Sequence, residues 1–366
     1  MKRNIPLYTE DVTQKLIVKL PGTACNISCD YCFEKGKKLD FIEAMSPLTL
    51  ENSLNWIGQP IEIMLHGGEP LMIGKERFDS LLDLISRHKE QIRSVFLQTN
   101  GTLLDHEWLE LLFNHYKHLN IEVAISLDGT AEMNKLRVTK DGKPTFESII
   151  HAFKLLEGIG KKAGLLSVIS KHALDFTESY VDMLLSIDNL RFVKINPLFD
   201  VIPGGLDRNS ITPQEFTEFL KGVFLSYINR GGYRKFPIEP FLSLIQQIEG
   251  VGSKYCNYNQ KKCLNFTTLY PDGKMSICDC FSIADFPIKT QDVDSFRVAI
   301  ELLSYSEKVQ ELKKMMEECQ KCDIWSLCQG GCLSQRWYFQ KYAPELHEDY
   351  CLHRRELFGF TKELLC

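Results

Sequence analysis

Cys25-Asn26-Ile27-Ser28-Cys29-Asp30-Tyr31-Cys32 sets three cysteines within eight residues, directly after the apolar run Leu16–Leu20 and the turn Pro21-Gly22. Three thiolates can hold three corners of a cubane. A 4Fe-4S cluster ordinarily takes four cysteines, and the next cysteine in the chain is Cys256. The trio therefore leaves one iron open to an outside ligand. The competing readings are a partial disulfide framework and a zinc knuckle, but zinc sites are usually built from two paired-cysteine motifs.

From Leu16 to about Asp200 the sequence alternates short β-branched runs with longer amphipathic segments, the rhythm of βα units and a parallel sheet. Strands are expected at Leu16–Leu20, Ile61–Leu65, Ser94–Leu97, Glu122–Leu127, Leu165–Ile169 and Arg191–Ile195. Helices are expected at Pro47–Ile57, Lys75–His88, Asp105–Lys117, Thr145–Ile159 and Asp175–Ser186. Right-handed crossovers between such strands curl the sheet into an open or partial barrel. In barrel-like α/β folds the reacting groups gather at the C-terminal strand ends. The unusual residues fall there: the cysteine trio, then His66-Gly67-Gly68-Glu69-Pro70, Gln98-Thr99-Asn100-Gly101, Ser126-Leu127-Asp128-Gly129 and Asn196-Pro197-Leu198. Each loop taken alone reads more readily as an ordinary turn. Four in register behind the trio point to a ligand site.

The C-x3-C-x-aromatic-C motif resembles the signature of the radical S-adenosylmethionine (SAM) superfamily. The resemblance implies a partial (β/α)6 TIM-like barrel, and SAM chelated to the open iron. Cleavage then gives a 5'-deoxyadenosyl radical that removes a hydrogen atom from the substrate. It implies that Gly67 and Gly68 meet the SAM amino group, with a possible share for Glu69. Ser126 and Arg137 would meet its carboxylate, where a guanidinium forms charge-assisted pairs, and Tyr31 and Leu198 would flank adenine.

From Cys256 onward ten cysteines follow a second pattern. Cys263-x9-Gly273-x4-Cys278 precedes Cys319-x2-Cys322-x5-Cys328-x3-Cys332, and Cys351 lies further on. The pattern resembles the SPASM domain, which binds auxiliary 4Fe-4S clusters through seven cysteines, and Cys256 supplies an eighth. Two auxiliary clusters are implied, one on Cys256, Cys263, Cys278 and Cys332, the other on Cys319, Cys322, Cys328 and Cys351. With the open cluster this makes three, and Cys280 and Cys366 remain. Cys280 reads as a substrate-facing thiol, an alternative ligand or a small buried hydrophobe. Tyr270-Pro271-Asp272-Gly273-Lys274 reads as a hairpin turn that brings Cys263 and Cys278 together. Two zinc sites are the alternative, but only iron-sulfur clusters also carry electrons.

Asp279, beside Cys278, matches the position of an aspartate that resembles a general base in the anaerobic sulfatase-maturating enzymes. A carboxylate next to an electron acceptor lets proton and electron leave together. The plainer alternative is a solvated or hydrogen-bonded carboxylate. In the same enzymes the resemblance expects a tyrosine and a glutamine where this chain has Glu34 and His66.

At 366 residues the chain has room for two domains. The expected division is a barrel over 1–200, a helical bridge over 201–255 and the SPASM domain over 256–366. Forty-three basic against 48 acidic residues give a net charge of −5, which argues against nucleic acid or an anionic membrane. No apolar stretch is long enough to span a bilayer and Met1–Pro6 lacks a signal-peptide core behind it, so the expected location is cytoplasmic.

The function expected first is a SAM-dependent maturase that installs a thioether or carbon–carbon crosslink in a ribosomally made peptide. Sulfatase maturation, oxidising serine or cysteine to formylglycine, is the close alternative, and a non-catalytic iron-sulfur or zinc scaffold is the third. The implied partners are a peptide or protein substrate and an external electron donor such as flavodoxin or ferredoxin.

Overall fold

The structure is a computed structural model that describes residues 13–35, 43–259, 262–291 and 293–365. The terminal stretch Met1–Pro6 and Cys366 lie outside the described residues. The first part of the chain runs β1 (Gln14–Lys19), α1 (Pro47–Ile57), β2 (Ile61–His66), α2 (Lys75–Arg87), β3 (Ile92–Thr99), α3 (His106–Leu109), β4 (Glu122–Ser126), α4 (Phe146–Gly158), β5 (Ala163–Ile169), α5 (Thr177–Ser186) and β6 (Leu190–Pro197). The remainder adds β7 (Val201–Ile202), β8 (Gly205–Leu206), α6 (Pro213–Asn229), β9 (Ile238–Glu239), α7 (Phe241–Ile248), β10 (Phe266–Leu269), β11 (Met275–Ile277) and β12 (Pro287–Ile288). Last come α8 (Phe296–Ser304), α9 (Glu307–Cys319), α10 (Trp325–Cys328), α11 (Leu333–Tyr342) and α12 (Glu345–Leu365).

Local chemistry starts these helices where the sequence places them. Ser46 accepts from the Thr49 amide ahead of Pro47 in α1, and Thr212 and Glu215 close a capping box on α6. One expectation is corrected. Asp105 does cap a helix, but α3 lasts one turn before Glu110–His115 widens into a π-helix. The wider turn lets the Tyr116 amide reach the Leu111 carbonyl at 3.1 Å, and its hydroxyl bonds the Asp79 carboxylate at 2.8 Å. Apolar periodicity does not register such an inserted residue.

The chain forms two compact units. One comprises Met1–Ser28, Cys32–Ala124 and Lys261–Met315; the other comprises Cys29–Tyr31, Ile125–Gln260 and Met316–Cys366. In the first unit β1 pairs in parallel with β2, and β2 with β3. The other edge of β1 takes β10, also in parallel, with Leu16 opposite Thr267. Antiparallel β11 and β12 extend that edge. These units run across the sequence divisions at 200 and 255, because β10 fills an edge that only β1 offers. Both faces of β1 are covered, and Leu16, Val18 and Lys19 have no exposed surface.

In the second unit β5, β6 and β9 pair in parallel. The long α12 packs on α6, α7 and α11. At the α6–α12 contact the Thr217 hydroxyl lies 2.6 Å from His353 Nδ1 and donates to the Pro213 carbonyl, so His353 is the donor between them. Burial pushes His353 down to about 3, which keeps the ring neutral. No helix among the described residues is long and apolar enough to cross a membrane.

Candidate active site

In the first unit the loop leaving β2 is pressed against the loop that leads into Cys25. The Gly68 amide donates to the Gly22 carbonyl at 3.0 Å and the Glu69 amide to the Ala24 carbonyl at 2.9 Å. A Cβ on Gly68 would fall 2.0 Å from the Ala24 oxygen, and Gly67 has φ +137°, so neither position has room for another residue type. Glu69 is fully buried. It accepts from the Thr99 hydroxyl and the Asn100 amide, both at 2.7 Å, and from the Leu71 amide at 3.1 Å. Its carboxylate is a strut between the ends of β2 and β3.

That strut aims Asn100, whose side-chain amide lies 3.7 Å from Cys25 Sγ and donates to Asn26 Oδ1 at 2.9 Å. Burial raises the Cys25 thiol above its ordinary range, Glu69 and Cys32 add to this, and the Ile27 and Asn100 donors oppose it. Among the described residues Cys25, Cys29 and Cys32 form no disulfide.

The end of β1 carries a charge cluster that was not evident from the sequence. Lys19, opposite His66 in the strand register, is fully buried. Its ammonium donates to Glu34 Oε1 and Asp279 Oδ2, each at 2.7 Å, and lies 3.2 Å from His66 Nδ1. The Gly67 amide also donates to His66 Nδ1, at 2.7 Å. Two donors on one ring nitrogen require its lone pair, which assigns the proton to Nε2. Burial alone would lower the Lys19 pKa, but Asp279 and Glu34 outweigh it and hold the ammonium well above its ordinary value. The donor atoms of Glu34, His66 and Asp279 lie within 4.8 Å of one another. Lys19 reaches all three, so a cation already occupies their focus. The face of Phe33 lies 5.4 Å from the ammonium.

Asp279 thus sits between Lys19 and Cys278. Cys278 bonds Cys280 and feels the charges of Asp279 and Cys263. The expected hairpin forms, with the Tyr270 amide on the Lys274 carbonyl at 3.0 Å and Gly273 at φ +81°. Cys280 is exposed, which removes the buried-hydrophobe reading.

The second unit holds Tyr31, Asp128 and Arg137 as a buried triad. The Tyr31 hydroxyl donates to Asp128, and Arg137 donates to the Tyr31 oxygen at 2.9 Å and lies 3.8 Å from Asp128. Burial raises the Asp128 pKa against the opposing pull of Arg137. Arg137 Nε is buried with no hydrogen-bond partner among the described residues, a donor that suits a carboxylate ligand. Ser126 ends β4 on the same sequence stretch. Leu198 is buried beyond β6, its amide on the Ile169 carbonyl and its carbonyl on the Ile211 amide.

Cys256 and Cys332 both act on Tyr255. Cys319 feels the charges of Cys328 and Cys351, and Cys351 those of Cys328 and Cys322, so these thiols are electrostatic neighbours. Eight cysteine thiols, with no imidazole or carboxylate among them, are a donor set that suits 4Fe-4S clusters.

The fold, the strand-end glycines and this thiol arrangement define a SAM- and cluster-dependent enzyme. Residues 20–185 match the radical SAM superfamily. The chain is 27% identical to a cysteine-type anaerobic sulfatase-maturating enzyme of Clostridium perfringens, over 94% of this chain and 95% of that one. It superposes on native anSMEcpe with bound AdoMet with a TM-score of 0.80, at 26% identity and over 96% of this chain and 98% of that one. The same protein with AdoMet and a Cp18Cys peptide gives 0.78, over 96% and 97%. Streptococcus suis SuiB bound to S-adenosylmethionine gives 0.61 at 16% identity, over 89% of this chain and 74% of that one, a likeness of fold alone. Residues 20–185 are a radical SAM domain, and the chain, similar along nearly its whole length to a sulfatase-maturating enzyme, is an enzyme whose cofactors are SAM and 4Fe-4S clusters.

Proposed function

We propose that this maturase oxidises a cysteine or serine side chain of a peptide or protein to formylglycine. The observation that carries the reading is the Asp279 carboxylate, held by buried Lys19 one residue from Cys278, in a chain similar along nearly its whole length to a sulfatase-maturating enzyme. Crosslinking, the first expectation from sequence alone, moves to second place, because SuiB lies at 16% identity against 27% for the Clostridium perfringens enzyme.

In this reading Cys25, Cys29 and Cys32 hold the SAM-binding cluster. Cys256, Cys263, Cys278 and Cys332 hold one auxiliary cluster, and Cys319, Cys322, Cys328 and Cys351 the other. Gly67 and Gly68 bare their backbone to the SAM amino group, Ser126 and Arg137 meet its carboxylate, and Tyr31 and Leu198 flank adenine. Glu69 acts from behind as the support of the glycine turn, since its carboxylate is engaged by Thr99, Leu71 and Asn100. When bound, the cofactors supply the 5'-deoxyadenosyl radical that takes one hydrogen atom from the substrate β-carbon.

The chain's own residues handle the remaining proton and electron. Asp279 takes the proton of the substrate thiol or hydroxyl, and a cluster held by neighbouring Cys278 would supply the acceptor for the electron. Cysteine then yields a thioaldehyde that water converts to formylglycine and hydrogen sulfide, whereas serine yields the aldehyde directly. Lys19 holds the Asp279 carboxylate in place through their 2.7 Å ion pair. External electrons come from a small donor of the flavodoxin or ferredoxin type.

Anaerobic incubation with SAM, reductant and sulfatase-site peptides bearing cysteine or serine tests the reading, with hydrazide capture and mass spectrometry. Aldehyde on either peptide supports it. SAM cleavage with no aldehyde on either would overturn it. Glu34 and His66 favour the second reading, since both differ from the residues that the sulfatase-maturating resemblance expects and both touch Lys19. A thioether crosslink would consume a thiol and leave no carbonyl.

A further inference from the structure

Three arginines of the second unit each address a different thiol of the quartet Cys319, Cys322, Cys328 and Cys351. Arg336 on α11 places Nη1 3.1 Å from Cys319 Sγ. Arg354 and Arg355, adjacent on α12, place Nε 2.9 Å from Cys328 Sγ and Nη2 3.1 Å from Cys322 Sγ. Arg336 is 2% exposed and Arg354 4%. A guanidinium stays charged when buried, and a buried charge needs a compensating anion. Beyond the Cys328 sulfur, Arg354 bonds the carbonyls of Asn257 and Cys328 at 2.8 and 3.0 Å and stacks 4.3 Å over Tyr258. Those partners are dipoles and a ring face; the sulfur brings the charge.

We propose that Arg336, Arg354 and Arg355 form a cationic clamp that raises the reduction potential of the cluster on Cys319, Cys322, Cys328 and Cys351. The proposal rests on the ligand grouping given above. A thiolate-ligated cubane is anionic and becomes more so on gaining an electron, so nearby cations and N–H···S bonds favour its reduced form. The clamped cluster therefore favours holding an electron drawn from the substrate, which is oxidised as the cluster is reduced. Asp323 modulates the outermost arginine, its carboxylate 2.6 Å from Arg355 and 3.5 Å from Cys322 Sγ.

The test is a mediated redox titration, followed by electron paramagnetic resonance, of reconstituted protein carrying Cys25, Cys29 and Cys32 as alanine so that only auxiliary clusters report. Arg354→Gln and Arg355→Gln should each lower one midpoint by at least about tenfold in the reduction equilibrium, ~59 mV for a one-electron couple. Arg→Lys at either position should restore most of the shift, and Asp323→Asn should raise the same midpoint. Arg355 lies at the surface, so its variant reports even where Arg354→Gln does not fold. Iron-replete Arg355→Gln with both midpoints unmoved would overturn the clamp. Loss of the C-terminal iron altogether, or zinc in its place, would instead overturn the ligand grouping on which the clamp depends, and iron and sulfide counts tell the two apart.

Discussion

Lys19 joins groups that are far apart in sequence: Glu34 fifteen residues on, and Asp279 after a further 245, both within 2.7 Å of one ammonium. Replacing it with methionine leaves the buried Glu34 carboxylate and the largely buried Asp279 carboxylate without their cation, a change that typically costs about 3–5 kcal/mol when one partner of a buried pair is removed. Lys19→Met is expected to lower the unfolding midpoint markedly while Lys19→Arg recovers part of it, as read by thermal denaturation under anaerobic conditions. Asp279→Asn keeps the packing and removes the proton acceptor. It is expected to cleave SAM at a near-normal rate while product falls at least a hundredfold, on the order of the contribution of a general base, with 5'-deoxyadenosine and product quantified in the same reaction. Asp279, Glu34 and His66 were each legible in the sequence, the first by its place beside Cys278 and the others as departures from the sulfatase-maturating pattern. Lys19 was not. A lysine closing an apolar run reads as the solvent end of a strand, and only the fold shows that both faces of β1 are covered there. The arginines of α11 and α12 were hidden in the same way, since nothing in a helical pattern says that a guanidinium points at a sulfur.

The first six strands were legible to within a few residues, because apolar alternation and turn residues are local signals, whereas the two-residue β7, β8, β9 and β12 were not. Pairing is not local. The hairpin around Pro271 and Gly273 could be read from its turn, whereas its parallel seat on β1 joins residues some 250 positions apart and leaves no trace in either segment. The glycine turn after β2 is the element on which the cofactor site is most exposed to damage. Gly68→Ala forces a Cβ into the Ala24 carbonyl, and the only relief is movement of the loop that carries Cys25. SAM cleavage is expected to fall more than tenfold with the auxiliary iron retained, which iron analysis and 5'-deoxyadenosine formation would measure together. An unchanged cleavage rate would remove this turn from the cofactor site.

For the whole molecule the cluster inventory is the simplest expected result. Reconstituted protein should hold about twelve irons, and the Cys25, Cys29, Cys32 triple-alanine variant about eight, at four per cubane. A fall from four to zero, or zinc in place of iron, would remove the auxiliary clusters and with them the route for the substrate's second electron. The seat of β10 on β1 also sets a timetable for making the protein. At ~5–20 residues per second a ribosome needs roughly 13–50 s to travel from β1 to β10. Throughout that interval one edge of β1 is an uncovered template for pairing with a foreign strand. The first unit can close only when its last pieces arrive, so the nascent chain depends on being shielded until synthesis has passed Leu269. A chain stopped after residue 260 should accordingly sediment as aggregate where the full-length protein stays in the supernatant.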